Sequence, residues 1–178
     1  GRSADLVVAV LAVLRAGGTV VPLDPGFPAA RLAFMARDAE LALMLVAGAG
    51  APAGATPVLD LARWRPSPPS AAPVAWPAVP GDAPAMMLYT SGSTGEPKGA
   101  LTTHAGAVNR VHWLGRREGL GPDAGEVFAL RTSLNFIDAW WEIFGSLAHG
   151  VPLQVVPDDV ATDPVRLPGF LGSTGVTR

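Results

Sequence analysis

Ala85-Met86-Met87-Leu88-Tyr89-Thr90-Ser91-Gly92-Ser93-Thr94-Gly95-Glu96-Pro97-Lys98-Gly99-Ala100-Leu101-Thr102-Thr103 contains the only lysine and the only tyrosine of the 178-residue chain. The apolar run Ala85 to Tyr89 predicts a buried strand, and Ala100 to Thr103 predicts a short second one. Between them, Gly92, Gly95 and Gly99 let the backbone turn tightly. The hydroxyls of Thr90, Ser91, Ser93 and Thr94, with the exposed backbone N–H groups, then face one polyanion. Every other cationic side chain is arginine. An ammonium is a compact point charge that follows a moving phosphate, whereas guanidinium imposes a planar fork, so a lone lysine in an arginine background marks a phosphate loop. The bland alternative is a solvated Ser/Gly linker, and a strand running straight into the turn argues against it. A Walker loop is excluded by spacing: counting from Gly92, Pro97 stands where the second glycine belongs, and Gly99 follows the lysine.

The run Tyr89 to Gly99 resembles the signature of adenylate-forming enzymes, the superfamily of nonribosomal peptide synthetase adenylation domains, acyl-CoA synthetases and luciferases. A second block, Leu14-Arg15-Ala16-Gly17-Gly18-Thr19-Val20-Val21-Pro22-Leu23-Asp24-Pro25, continuing through Pro28, Arg31, Met35 and Asp38, is similar to the adenylation-domain motif that precedes the phosphate loop. Its residues read as structural: Gly17-Gly18 ends a helix, Thr19 to Leu23 is a buried strand, and Pro22 and Pro25 bound a turn. This block favours an adenylation domain over an acyl-CoA synthetase.

Composition sets the limits. With 49% hydrophobic residues the chain can bury a core of about one domain. The strongly apolar runs Leu6 to Leu14 and Leu41 to Val46 fall short of the roughly 20 residues that cross a bilayer. There is no cysteine, hence neither disulfides nor thiolate metal sites, and nothing resembles a signal peptide. A cytoplasmic enzyme is the expectation. The formal charge of −2, with arginines scattered apart from Arg116-Arg117, offers no basic footprint for nucleic acid. The chain starts at Gly1 without methionine and stops just after a helix-like stretch, which reads as a fragment: residues 1–178 are expected to be a single partial adenylation domain.

Helices are expected from Ser3 or Asp5 to about Arg15, from Pro28 to about Asp38, from His104 to about Arg117, from about Ala139 to His149, and over Asp163 to Leu171. Strands are expected at Leu41 to Val46, Val127 to Leu130 and Pro152 to Val156. Their alternation predicts an α/β fold of layered mixed or parallel sheets with crossover helices. Eight of the 18 prolines lie between Pro52 and Pro80, so residues 48–82 read as a surface connection with short structured pieces around Leu59 to Trp64. Within it, Gly48-Ala49-Gly50-Ala51-Pro52-Ala53 formally matches a dinucleotide fingerprint, but Pro52 stops the required helix from opening.

Thr132 to Phe144 resembles a third family motif, Phe-Asp followed five residues later by Glu. Phe136 and Glu142 match. Ile137 stands where amino-acid-activating members carry the aspartate that holds the substrate's α-ammonium, and Asp138 follows it. Three readings stay open here: Asp138 takes over the role, as for a β-amino acid; the substrate lacks an amino group, as in a hydroxy, keto or aryl acid; or the loop shifts by one residue. Phe136, Trp140, Trp141 and Phe144 are core residues by default, although Trp141 aligns with a pocket-lining position and would favour a small acid. His104 is similar to a histidine that follows the loop in relatives; a cap or packing role is its simpler reading.

The resemblance implies ATP-dependent activation of a carboxylic acid. A carboxylate oxygen attacks the α-phosphorus, pyrophosphate leaves, and the acyl-adenylate passes its acyl group to a phosphopantetheine thiol on a carrier protein or coenzyme A. By the same resemblance, Thr90, Ser91, Gly92, Ser93, Thr94, Gly95 and Lys98 hold the ATP phosphates, with Thr90 and Lys98 catalytic and Thr90 also a Mg²⁺ ligand. Phe136, Ile137, Asp138 and Trp141 line the acid pocket. The adenine and ribose motifs, the acidic Mg²⁺ ligand and a second catalytic lysine are expected beyond Arg178. The competing readings are an acyl-CoA synthetase or aryl or hydroxy acid ligase of the same superfamily, and a noncatalytic nucleotide-binding remnant.

Overall fold

The computed structural model describes residues 1–47, 56–64, 75–91, 97–123 and 125–178. Gly48 to Ala53 and Gly92 to Gly95 lie outside the described residues, as does much of the 48–82 connection. Helix α1 (Ala4–Arg15) begins where the Ser3 hydroxyl accepts the Leu6 N–H at 3.1 Å, satisfying one of the donors a helix start leaves free. Helix α2 (Ala29–Asp38) opens on Pro28, whose fixed φ suits the entry. Strands β1 (Met44–Val46) and β2 (Val58–Asp60) pair in parallel. Strands β3 (Pro84–Ser91) and β4 (Pro97–Thr103) form an antiparallel ladder.

Helix α3 (His104–Glu118) grows directly from β4. Thr103 accepts the Gly106 N–H at 3.2 Å, and Gly119 closes the helix at φ 66°, a left-handed conformation suited to glycine. Strand β5 (Phe128–Leu130), helix α4 (Ile137–Leu147) and strand β6 (Leu153–Val155) make a unit in which the helix joins two parallel strands. Helices α5 (Asp158–Ala161) and α6 (Arg166–Ser173) follow. The apolar core runs between α1, α4 and the strands: Val7, Leu130, Ala139 and Ile143 form one cluster, and Val10, Val20, Met86 and Trp140 form the next. A third cluster seals α5 and α6 onto β5 through Ala129, Val156 and Val160.

Three elements depart from the sequence expectations. The strand at Thr19 to Leu23 is a single parallel bridge, in which Val20 donates to Ala85 O at 2.9 Å and accepts from the Met87 N–H at 2.9 Å. The next donor in that ladder would be residue 22, and proline has no N–H to give, so pairing stops. The strand at Leu41 to Val46 shortens to Met44–Val46 because Leu41 is consumed in ending α2, donating to Ala36 O at 3.2 Å behind Glu40 at φ 47°. The helix expected at Asp163 to Leu171 starts later, at Arg166, where the Asp163 carboxylate accepts the N–H groups of Val165 and Arg166, and the short helix α5 precedes it.

Tyr89 binds the sheet to α2. Its phenol donates to Asp38 Oδ2 at 2.6 Å in a buried setting, and burial, then the hydrogen bond to Asp38, push its pKa well above the ordinary 10.0. Because the fold favours the protonated phenol, its contribution to stability is complete below a pH of about 10 and is lost as pH rises above it. Tyr89 is the only tyrosine, so the tyrosinate absorbance band reads this residue alone. That band is expected to emerge together with loss of the folded circular dichroism signal. A band rising earlier, near pH of about 10, would contradict the burial argument.

Candidate functional site

Antiparallel pairing places Met86 opposite Thr102, Leu88 opposite Ala100 and Thr90 opposite Lys98. Directly opposed residues share a face, and alternation keeps these three rows on the same one. Met86 and Leu88 belong to the core beneath α1 and α4, so Thr90 and Lys98 lie on the core side of the ladder, at its end. Both are exposed, and among the described residues Lys98 makes no ion pair. The Thr90 hydroxyl donates to Lys98 O at 3.4 Å, which leaves its oxygen lone pairs available. Ser91, one of the expected phosphate-binding residues, falls on the other face, that of Tyr89. Gly92, Ser93, Thr94 and Gly95 are outside the described residues.

Further along the same face, a cavity of about 50 Å³ opens between β3, β4, α3 and α4. Met86 and Thr102 form its floor, Ile137 and Trp141 line it from α4, and Ala107 and Arg110 line it from α3. Four rows of strand separate Met86 from Thr90, about 13 Å at the strand rise. Sequence reasoning found Ile137 and Trp141 through the motif and missed the α3 wall. The signal for that wall was the helical spacing of Gly106, Ala107, Arg110 and Val111, all of which touch the cavity.

The start of α4 is set by Glu142. Its Oε2 accepts the N–H groups of Arg131 and Thr132, each at 3.0 Å, and its Oε1 accepts the Thr132 hydroxyl at 2.6 Å. This clamp folds the loop after β5 back onto α4 and fixes where Ile137 enters the helix. Trp140 is buried and stacks on Phe144 at 5.7 Å, and its indole donates to Leu134 O at 3.3 Å. Trp141 meets Phe128 edge-on at 5.6 Å. Phe136 precedes the helix and stays 62% exposed, without lining the cavity. Asp138 is exposed in the first turn of α4, where a carboxylate suits the helix dipole, and makes no hydrogen bond or ion pair among the described residues. His104 is the first residue of α3, and its buried Nε2 has no partner among the described residues.

Among the described residues, no group of three His, Asp or Glu could hold a metal ion, and no helix is long and apolar enough to cross a membrane.

Known proteins resemble this chain in sequence and in fold. Syringomycin synthase SyrB1 of Pseudomonas syringae pv. syringae is 39% identical over 99% of the chain, and phosphinothricin tripeptide synthetase PhsB of Streptomyces viridochromogenes is 40% identical over 99%. The chain spans only 29% and 15% of their respective lengths. Among solved structures, the nonribosomal peptide synthetase FmoA3 in its AMPPNP-bound form superposes with a TM-score of 0.85 at 28% identity, covering 99% of this chain and 18% of its own. The Klebsiella oxytoca NpsA N-terminal subdomain, in complex with 3-hydroxybenzoyl-AMSN, gives 0.80 at 25% identity, covering 99% and 44%. Holo-PA1221, a protein containing adenylation and PCP domains, gives 0.77 at 29% identity, covering 98% and 29%. The family described as AMP-binding enzyme matches residues 1–177. The family match over residues 1–177 and these relatives show where the chain stands: it belongs to the AMP-binding enzyme family and is most like the N-terminal part of a nonribosomal peptide synthetase adenylation domain.

Proposed function

We propose that the intact protein activates a carboxylic acid with ATP, forming an acyl-adenylate that is handed to a phosphopantetheine thiol on a carrier protein. The observation that carries this reading is the common face of β3 and β4, with Lys98 and Thr90 at one end and an apolar cavity at the other. A carboxylate held at the cavity mouth would attack the α-phosphorus while the β- and γ-phosphates lie toward Lys98. The bond from that phosphorus to the bridging oxygen breaks, and pyrophosphate leaves with the electron pair. Catalysis in such a step is mostly placement and charge stabilisation. The Lys98 ammonium neutralises charge on the departing group, and Ser91 with residues 92–95 supplies further donors. The AMPPNP-bound FmoA3 form and the PCP-containing PA1221 support the nucleotide and the carrier respectively. In the same reading, residues 1–178 are one partial domain, with 48–82 a connection on its surface.

Thr90 fits Mg²⁺ as a single neutral oxygen at the strand end. With no acidic cluster beside it among the described residues, an ion there would be bound largely by phosphate oxygens. When bound, Mg²⁺ supplies positive charge that one lysine cannot.

The acid's own contacts turn on α4. Ile137 faces the cavity and cannot pair an ammonium, while the Glu142 carboxylate is fully used by the loop. Asp138 is the carboxylate of this helix start with no partner among the described residues. It lies outside the cavity lining, so it would meet an ammonium only from the rim, which supports an amino acid whose nitrogen lies displaced from the usual α position. The test is ATP–pyrophosphate exchange by the intact protein with α-amino, β-amino, hydroxy and aryl acids. Exchange is expected with an amino acid, falling about a hundredfold in Asp138→Asn through loss of a paired charge. Exchange that survives Asp138→Asn with an aryl or hydroxy acid would replace the amino-acid reading, and silence with every acid would leave a noncatalytic nucleotide-binding remnant.

A further inference from the structure

We propose that Gly145 is a positioning residue for the acid pocket, holding open the space into which the Trp141 indole leans and so setting the volume left for the substrate. The inference rests on the reading above that the cavity takes the acid. A Cβ at residue 145 would lie 2.5 Å from both Cε3 and Cζ3 of Trp141 and 2.8 Å from Cδ2, distances that real side chains do not tolerate. Gly145 is buried in α4 four residues after Trp141, and Ile137 stands four residues before it, so the indole lies between them on one helix face. On its outer edge the ring meets Phe128, a strand residue only 2% exposed, which blocks retreat. The Gly145 carbonyl is bonded to His149 Nδ1 at 2.9 Å, and the same imidazole lies against Gly115 of α3, which leaves this end of α4 little room to move. Pressure from residue 145 therefore drives the indole toward Ile137 and into the cavity that both line.

Gly145→Ala should fold, because alanine has the higher helix propensity. In the intact protein, ATP–pyrophosphate exchange is measured against a series of acids of increasing tail size. The smallest accepted acid should keep its kcat and KM, while the largest should show a KM raised roughly tenfold or more, the discrimination expected of one methyl group in a filled pocket. The double variant Gly145→Ala/Trp141→Leu should return the large-acid KM to that of Trp141→Leu alone, since the smaller side chain no longer transmits the push. KM values unchanged across the series, a uniform fall in kcat for every acid, or a double variant no better than Gly145→Ala would each overturn the inference while leaving the activity in place. Wild-type protein silent with every acid would overturn the functional reading and this inference with it. Should Gly145→Ala fail to accumulate folded protein, Gly145→Ala/Trp141→Leu should fold as Trp141→Leu does, because the smaller side chain removes the clash; a double variant that also fails to fold would overturn the inference.

Discussion

Lys98→Ala in the intact protein is expected to cut ATP–pyrophosphate exchange on the order of a hundred- to a thousandfold, the loss typical of removing one group that stabilises transition-state charge. The side chain is exposed at the end of β4 and makes no ion pair among the described residues, so its removal strands no buried partner and the urea midpoint should not move. Lys98→Arg tests the shape of the cation. It keeps the charge but presents a fork on a longer stem, and should recover only part of the activity. Exchange unaltered in Lys98→Ala would remove the phosphate assignment of the ladder.

Glu142→Ala should cost about 2–4 kcal/mol in stability, because it leaves two backbone N–H groups without an acceptor and removes a charge-assisted hydrogen bond. The clamp reaches only the loop before α4: Arg131 N, Thr132 N and Thr132 Oγ1 all meet the one carboxylate. Glu142→Gln retains a carbonyl oxygen for the two N–H groups, and the Thr132 hydroxyl can rotate to accept from the amide. That variant should lose only about 1 kcal/mol. Urea unfolding of the three proteins reads the order directly, and equal midpoints for Glu142→Ala and wild type would mean that the loop is held by something other than this carboxylate.

The contrast between these two residues bears on what the sequence could reveal. Helix starts were legible where a short hydroxyl side chain caps them, as at Ser3. The ladder β3–β4 was legible because an apolar run flanked a turn-rich one. Pairing partners were not legible, since strand order depends on which backbone groups remain free after proline and helix ends have taken theirs. Val20 and Leu41 show this, one stopped by Pro22 and the other spent on α2. In the site, the α4 wall was found through a motif, whereas Arg110 and Ala107 reach the cavity only because α3 lies across α4. Gly145 was invisible as well, because its effect is a volume left unfilled, and no residue pattern encodes which neighbour will occupy it.

One consequence of the β3–β4 face concerns size and not charge. Both ends of the site ride on a single rigid ladder, with the cavity floor at Met86 and Thr102 and the cation at Lys98. Under the proposed function the two strands would act as a ruler, admitting acids whose carboxylate emerges near the Leu88–Ala100 row when the tail is seated. An acid too short would leave its carboxylate retracted from the phosphorus, and one too long would push past it, so reach along the ladder would select substrates independently of the chemistry of the pocket.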